Sequence, residues 1–398
     1  KRPKLRFPGF DEPWNESKLS ACFAKNIKKN TDGRISNVIC NSAKMGLIPQ
    51  RDYFDKDIAN SDNTSGYYII EHNDFVYNPR KSSDAPYGPI SRYACPDAGI
   101  VSPLYLCFRA KGDVDTNFFE WYFRSFAWHR YIYMTGDSGA RHDRVSIKDD
   151  DFFSMPIRFP SSIEQKKIAS FLSAIERRIS FQQLLVDNLK KYKRGLQNRF
   201  FFKRSHLSSK PSEIDSHDVK PLGSVVHINP KTGALPEAFI YIDLECVESG
   251  VLNSKKLLSR NSAPSRAQRL LEEGDLLYQM VRPYQKNNYY FQKNFEYPTV
   301  ASTGYAQIRC SEVDTQFIYE QLSSDYFARE AMLRSTGTGY PAINADDLAE
   351  IPIWIPPLDQ QEKIGAALSF LGAKIEVHQK LLSALCTVKS SLLQQLFI

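Results

Sequence analysis

The chain has 398 residues, a formal net charge of +7 and a sequence pI near 8.8. Its 42% hydrophobic and 13% aromatic content excludes a disordered chain, and its length suggests two or three domains. The mildly basic balance favours an anionic partner.

No run approaches the roughly 18 apolar residues of a membrane span. The opening KRPKLRFPGF lacks the apolar core of a signal peptide, so a soluble, cytoplasmic protein is expected. The missing initiator Met suggests a processed or trimmed chain. Seven scattered cysteines show no C-x-x-C pair and no zinc spacing, and read as reduced thiols that mostly fill core.

In chain order, residues 1–16 are a basic lead-in containing Pro and Trp, and Lys18-Leu19 opens a first globular half. Asn73-Asp74-Phe75-Val76-Tyr77 reads as a turn entering a buried strand, and Ser102 to Phe108 as another strand. Asp115-Thr116-Asn117-Phe118 reads as a capped helix start. A Gly-containing polar loop, Thr135 to Arg144, follows. Pro156 and Pro160 then fence a short extended segment, and a long helix begins.

The same order returns. Pro221-Leu222-Gly223 opens the second half, and Gly274-Asp275-Leu276-Leu277-Tyr278 matches the turn and strand. Ser302 to Ile308 and Asp314-Thr315-Gln316-Phe317 match the next two elements. Ser335 to Tyr340 matches the loop, and Pro352 and Pro356 match the fence. Gln165 matches Gln361, Ile168 matches Ile364 and Phe201 matches Phe397, all at an offset of 196 with no gap. An internal repeat of this kind sets the architecture.

Past each fence, apolar residues fall at alternating steps of four and three. The first series is Ile168, Leu172, Ile175, Ile179, Val186, Leu189 and Leu196. The second is Ile364, Leu368, Leu371, Ile375, Leu382, Leu385 and Leu392. This is a heptad seam on each helix, with Gln182 and His378 sharing one polar slot and Lys193 and Lys389 another. Two such seams are expected to pack on each other as an antiparallel pair, each helix roughly 55 Å long at 1.5 Å per residue.

The expected fold class is α/β (α+β): two similar halves separated by a pseudo-twofold pair of long helices. The expected partition is a first half 1–160, a helix 161–204, a linker 205–218, a second half 219–356 and a helix 357–398.

Catalytic motifs are absent. There is no G-x-x-x-x-G-K-[ST], G-x-S-x-G or H-E-x-x-H, and no dinucleotide-type glycine turn. Asn78-Pro79 and Asn229-Pro230 lack the aromatic context of a flipped-base pocket. What remains are basic and amide-bearing loops. In the first half they carry Asn78, Arg80, Lys81, Arg92, Arg141, His142 and Arg144. In the second they carry Gln279, Arg282, Tyr284, Gln285, Lys286, Arg334, Thr338 and Tyr340. Arg, Lys, Asn and Gln match purine edges in the major groove, and Ser, Thr and Lys suit phosphate contacts. A solvated charged loop is the plainer reading of each one alone. The basic run Lys190 to Arg204 that ends the first helix is either a solvated face or a track for the DNA backbone.

The opening PKLRFPGF with its following Trp, the I-P-x-x-x-P helix start (Met155 standing for the Ile in the first copy), the repeated Q-x-K-I, and the L-x-x-x-K-x-x-L-x-x-x-x-F helix exits resemble specificity subunits of type I restriction–modification systems. The first helix start departs slightly, with Ser161-Ser162 where the second has Pro357-Leu358. The resemblance implies a non-catalytic subunit with two target-recognition domains, each reading one part of a split asymmetric DNA site. It implies that the helices set the spacer and dock two modification subunits. No cofactor would sit on this chain; S-adenosylmethionine would belong to the methyltransferase partner, and ATP and Mg to a restriction subunit. A coiled-coil protein-binding scaffold and a self-contained nuclease or methyltransferase are the alternatives.

Overall fold

The computed structural model describes residues 2–53, 64–137, 143–202, 218–292 and 295–397. They form two compact units, Lys1–Phe181 with Leu381–Ile398, and Gln182–Lys380. The division falls inside each long helix rather than at the helix starts. Each unit therefore owns the start of one helix and the end of the other.

The two units each have one ribbon and two four-stranded sheets, and the second adds a short hairpin, Val247–Glu248 with Val251–Leu252. Each is closed by a two-stranded antiparallel ribbon, Asn15–Lys18 with Pro156–Phe159 and Val219–Pro221 with Pro352–Trp354. A ribbon has free edges, so it tolerates the fencing prolines. The Leu19 N–H donates to the Met155 carbonyl at 2.8 Å, and the Leu222 N–H to that of Ile351 at 3.0 Å.

A four-stranded antiparallel sheet follows in each unit. One runs Phe23–Lys25, Leu106–Ala110, Phe75–Tyr77, Ile90–Arg92; the other runs Val226–Ile228, Tyr305–Cys310, Leu276–Gln279, Tyr289–Tyr290. A second sheet in each has one parallel pair at its centre, Val38–Ser42 with Gly99–Val101 and Ala238–Ile242 with Thr299–Ser302. This is the mixed α+β expected from the sequence.

The strand read over 102–108 is a tight turn after Gly99–Val101 followed by the start of Leu106–Ala110, and that over 302–308 joins the end of Thr299–Ser302 through a turn to Tyr305–Cys310, strands of different sheets. The Tyr105 N–H donates to the Ser102 carbonyl at 3.0 Å, and Gly304 N–H to Ser302 Oγ at 3.2 Å. Pro103 and Gly304 are turn residues that the apolar run conceals.

Helices Thr116–Arg124 and Thr315–Leu322 start at the expected caps. Asp115 Oδ1 accepts from the Phe118 N–H at 3.0 Å and Asp314 Oδ1 from that of Phe317 at 2.7 Å. Each lays an apolar face on its antiparallel sheet. In the first unit Phe23 meets Phe75, Phe108 and Phe119 edge-on at 5.0–5.4 Å. In the second, Tyr278 meets Phe327 and Phe317 meets Trp354.

An ion pair to a buried aspartate also repeats. Arg109 binds Asp74 with two bonds of 2.6 and 2.8 Å, and Arg309 binds Asp275 at 2.8 and 2.9 Å. Asp74 and Asp275 also cap their own turns, through the N–H groups of Glu71 and Glu272.

The long helices are Ser162–Gln197 and Leu358–Leu396. The first passes into a π-helical turn, Asn198–Phe202, and residues 203–204 of the expected helix and 205–217 of the expected linker lie outside the described residues. Gln165 Nε2 donates to the Pro160 carbonyl at 2.8 Å and Gln361 Nε2 to that of Pro356 at 2.7 Å, tying each helix start to its fence.

Within each unit the helix segments pair antiparallel. In the first, Ile168 and Leu172 share a core with Leu392, Leu396 and Phe397, and Lys389 Nζ meets Glu176 at 2.8 Å. In the second, Leu196, Phe200 and Phe201 share a core with Ile364 and Leu368.

Ile168, Leu172, Val186, Leu368 and Ile375 are buried. Ile175, Ile179, Leu189, Leu196, Ile364, Leu371, Leu382, Leu385 and Leu392 are half-buried. Off the seam, Phe181, Leu184, Tyr192, Phe370, Val377 and Val388 are exposed. Among the described residues no helix is long and apolar enough to cross a membrane.

Candidate nucleic-acid interface

In each unit the central strand of the antiparallel sheet runs out into a polar loop, and the Gly-containing loop folds back onto it. In the first unit, the Lys81 N–H donates to the Asp143 carbonyl at 2.8 Å and the Val145 N–H to that of Pro79 at 2.9 Å. In the second, the Arg282 N–H donates to the Pro341 carbonyl at 2.7 Å and the Ile343 N–H to that of Met280 at 3.1 Å. Backbone pairs Asp137 with Ser146 and Thr336 with Ala342 close the base of each returning loop. Two loops far apart in sequence thus become one surface, twice.

The first surface gathers Asn78, Arg80, Lys81 and Arg144. Asn78 Nδ2 donates to the Asn41 carbonyl at 3.1 Å, and its Oδ1 accepts from the Arg80 N–H. Asn78 therefore shapes the loop and Arg80 projects from it, exposed. Arg141 and His142 lie outside the described residues. Arg92 is elsewhere: it pairs with Phe75, at the end of the strand away from Asn78, and binds Glu120 at 2.7 Å and Asn73 at 2.7 Å. Its guanidinium is committed to holding strand to helix.

The second surface gathers Arg282, Tyr284, Thr338 and Tyr340. The Arg282 guanidinium lies 4.3 Å from the centre of the Tyr340 ring, a cation–π contact. Tyr284 and Tyr340 are 53% and 70% exposed. Arg282 and Lys286 hold left-handed backbone, φ 55° and 53°, on either side of the turn Pro283–Gln285.

Gln279 is buried. It spends its Nε2–H on Gln285 Oε1 at 2.8 Å and its Oε1 on the Asn287 N–H at 3.1 Å, so it braces the loop. Lys286 and Arg194 both bind Asp325. Burial pushes the Asp325 carboxyl up, but its bonds to Lys286 and Arg194 outweigh this and hold it below the usual range. Arg334 stays at its helix end, bonded to Glu330 at 2.8 Å.

Several residues that shape these surfaces are not among the sequence candidates. Asn41 accepts from Ser91 and donates to the Val76 carbonyl, joining the two sheets beneath the first loop. The Asp74–Arg109 and Asp275–Arg309 pairs anchor the strands from which the loops spring. Aligning the halves would have exposed those pairs, since both members recur.

The described residues include no group of three or more metal-ligating side chains. Two paired-loop surfaces, each with a projecting arginine and supported by a braced sheet, are suited to contacting an extended anion at two places.

Residues 218–386 match the family model described as type I restriction modification DNA specificity domain. Residues 218–386 thus carry a type I restriction modification DNA specificity domain.

The chain is 26% identical over 246 residues to the MjaVIII type I restriction enzyme specificity subunit of Methanocaldococcus jannaschii, covering 58% of each chain. It is 24% identical over 301 residues to the putative MjaX type I specificity subunit of the same organism, covering 72% of this chain and 65% of that one. The match thus spans about three fifths of the length of these relatives.

Among solved structures, the S subunit of a type I system from M. genitalium superposes with a TM-score of 0.61 at 17% identity, over 100% of this chain and 99% of that one. A chain from a study of type I system assembly and conformational transition gives 0.57 at 16%, over 98% of each. At these identities the likeness is one of fold. It covers both halves and both helices of the chain, including the first half, which the family model does not reach.

Proposed function

We propose that this chain is the DNA sequence-recognition subunit of a type I restriction–modification complex and performs no catalysis itself. Each unit reads one part of a bipartite asymmetric site. The paired-loop surface, present at equivalent places in both units, is the observation that carries this reading. In the second unit Arg282, steadied on Tyr340, is the base-reading fork, while in the first Arg80, Lys81 and Arg144 supply the cations. Arginine matches the two acceptors of guanine.

The long helices set the non-specific spacer and dock two modification subunits. The exposed residues Phe181, Leu184, Tyr192, Phe370, Val377 and Val388 lie off the helix-pairing seam and suit such a partner. The modification subunits hold S-adenosylmethionine and methylate adenine, and restriction subunits with ATP and Mg join them. These activities place the complex with the DNA, in the cytoplasm.

Gel-shift competition tests the proposal. The chain assembled with its modification subunit is expected to hold one labelled sequence against an excess of random DNA, with affinity falling as salt rises. Equal affinity for every sequence would defeat it.

A further inference from the structure

Beside the first unit's loop pair lies a cleft of about 440 Å3. Arg80, Lys81 and Arg144 line it. Arg80 and Arg144 are backbone bridge partners, so two like charges are held side by side. Asp143 stands 3.9 Å from the Arg80 guanidinium, with both side chains more than half exposed, and neutralises it weakly. Arg144 Nε is buried and has no acceptor among the described residues. Buried N–H groups are almost always satisfied, since an unmade bond forfeits the hydration given up. An oxyanion entering the cleft would supply that acceptor and relieve the repulsion.

The remaining lining is not that of a bare phosphate site. Leu104 and Pro79 form an apolar wall, and Tyr105 adds a half-buried ring. Small-ligand sites run from roughly 300 to 1,000 Å3. The cleft lies in that range, which suits one nucleotide and is too small for a duplex.

We infer that the cleft holds a single 5′-mononucleotide unit, its phosphate on Arg144, Arg80 and Lys81 and its base against Leu104 and Pro79. The nucleotide is either one swung out of a bound duplex, which rests on the DNA-reading proposal above, or a free one, which does not.

Equilibrium dialysis of the full chain against 5′-dAMP, dGMP, dCMP and TMP, and separately against inorganic phosphate, reads the site. Saturable nucleotide binding is expected, at least tenfold tighter than phosphate and at least tenfold weaker in R144Q and L104W. Leu104 is 60% exposed, so L104W fills the cleft without disturbing the core, and an unchanged melting temperature excludes unfolding.

A duplex carrying 2-aminopurine across the recognised site separates the two sources. A fluorescence rise with the wild-type chain that L104W abolishes assigns the cleft to a duplex base. Nucleotide binding with no rise assigns it to free nucleotide. No saturable nucleotide binding together with no rise overturns the inference, as do responses that both variants retain in full. Loss of all sequence preference with nucleotide binding intact would sink the DNA-reading proposal and leave the cleft standing.

Discussion

Gln182 and His378 occupy the same slot of the two repeats, and they bond to each other. Gln182 Nε2 donates to the His378 carbonyl at 2.9 Å and lies 2.9 Å from its Nδ1. An antiparallel pair of equivalent helices brings a residue against its own counterpart at one level, and here that level is polar. A polar pair in a largely apolar seam selects register at some cost in stability.

Replacing Gln182 with Ala should therefore lower stability by about 1 kcal/mol, the worth of a typical hydrogen bond. The double substitution Gln182→Leu with His378→Leu should be neutral or stabilising, because both polar partners leave together. Urea unfolding of the two variants checks this. A double variant less stable than Gln182→Ala would contradict the assignment.

Asp275 is 1% exposed and carries the Arg309 pair, the Glu272 turn and the Gln307 amide. Asp275→Ala removes all three, although Arg309 keeps Glu272 and Gln307 keeps the Leu270 carbonyl, and should destabilise the second unit by about 1–3 kcal/mol. Arg109→Ala should cost more than Asp275→Ala, since it leaves the 0%-exposed Asp74 carboxylate without its cation, whereas the Arg309 left by Asp275→Ala is 28% exposed and still paired with Glu272. Denaturant melts of both proteins give the comparison.

His129 lies among the rings of Tyr87, Phe126 and Trp128, at 4.7–5.1 Å. Burial pushes its pKa down to about 4. The unfolded chain then binds a proton that the folded chain refuses between pH 6.5 and about 4. Stability is present above pH 6.5 and falls as the pH drops through that window, by at most about 1.4 kcal/mol per unit. His129→Phe should flatten the fall between pH 6.5 and 4.5, measured by urea midpoints. An unchanged slope would show that the imidazole is solvated.

The Arg282–Tyr340 pair makes a prediction about specificity rather than stability. Arg282→Ala should relax preference at one base position by about 1–3 kcal/mol. Arg282→Lys should behave nearly the same, because an ammonium lacks the planar fork. Binding to random DNA should weaken far less. Competition binding with single-base variants of the site reads this, and a uniform loss across all sequences would make Arg282 a phosphate contact instead.

Much of this was legible in the chain. The heptad steps predicted which faces pair, since Ile168, Leu172, Leu368 and Ile375 are buried while Phe181 and Phe370, which break the pattern, are exposed. The Asp115 and Asp314 caps follow from local chemistry alone.

Long-range pairing was not legible. Nothing local shows that Arg92 is taken by Glu120, or that both ends of the Gln279 amide are used within its own loop. Composition marks Arg and Gln as possible readers, whereas partners distant in sequence decide which are free to read. The apolar run 102–108 concealed a turn for a similar reason, because buried strands on both sides of a tight turn look continuous.

The most direct measurement of the two-reader account is to map methylated adenines in DNA exposed to the assembled complex, for the wild-type chain and for Arg80→Ala and Arg282→Ala. The account predicts a site in two separated parts, with each substitution relaxing bases in one part and leaving the other unchanged. An uninterrupted site, or two substitutions that relax the same bases, would contradict it.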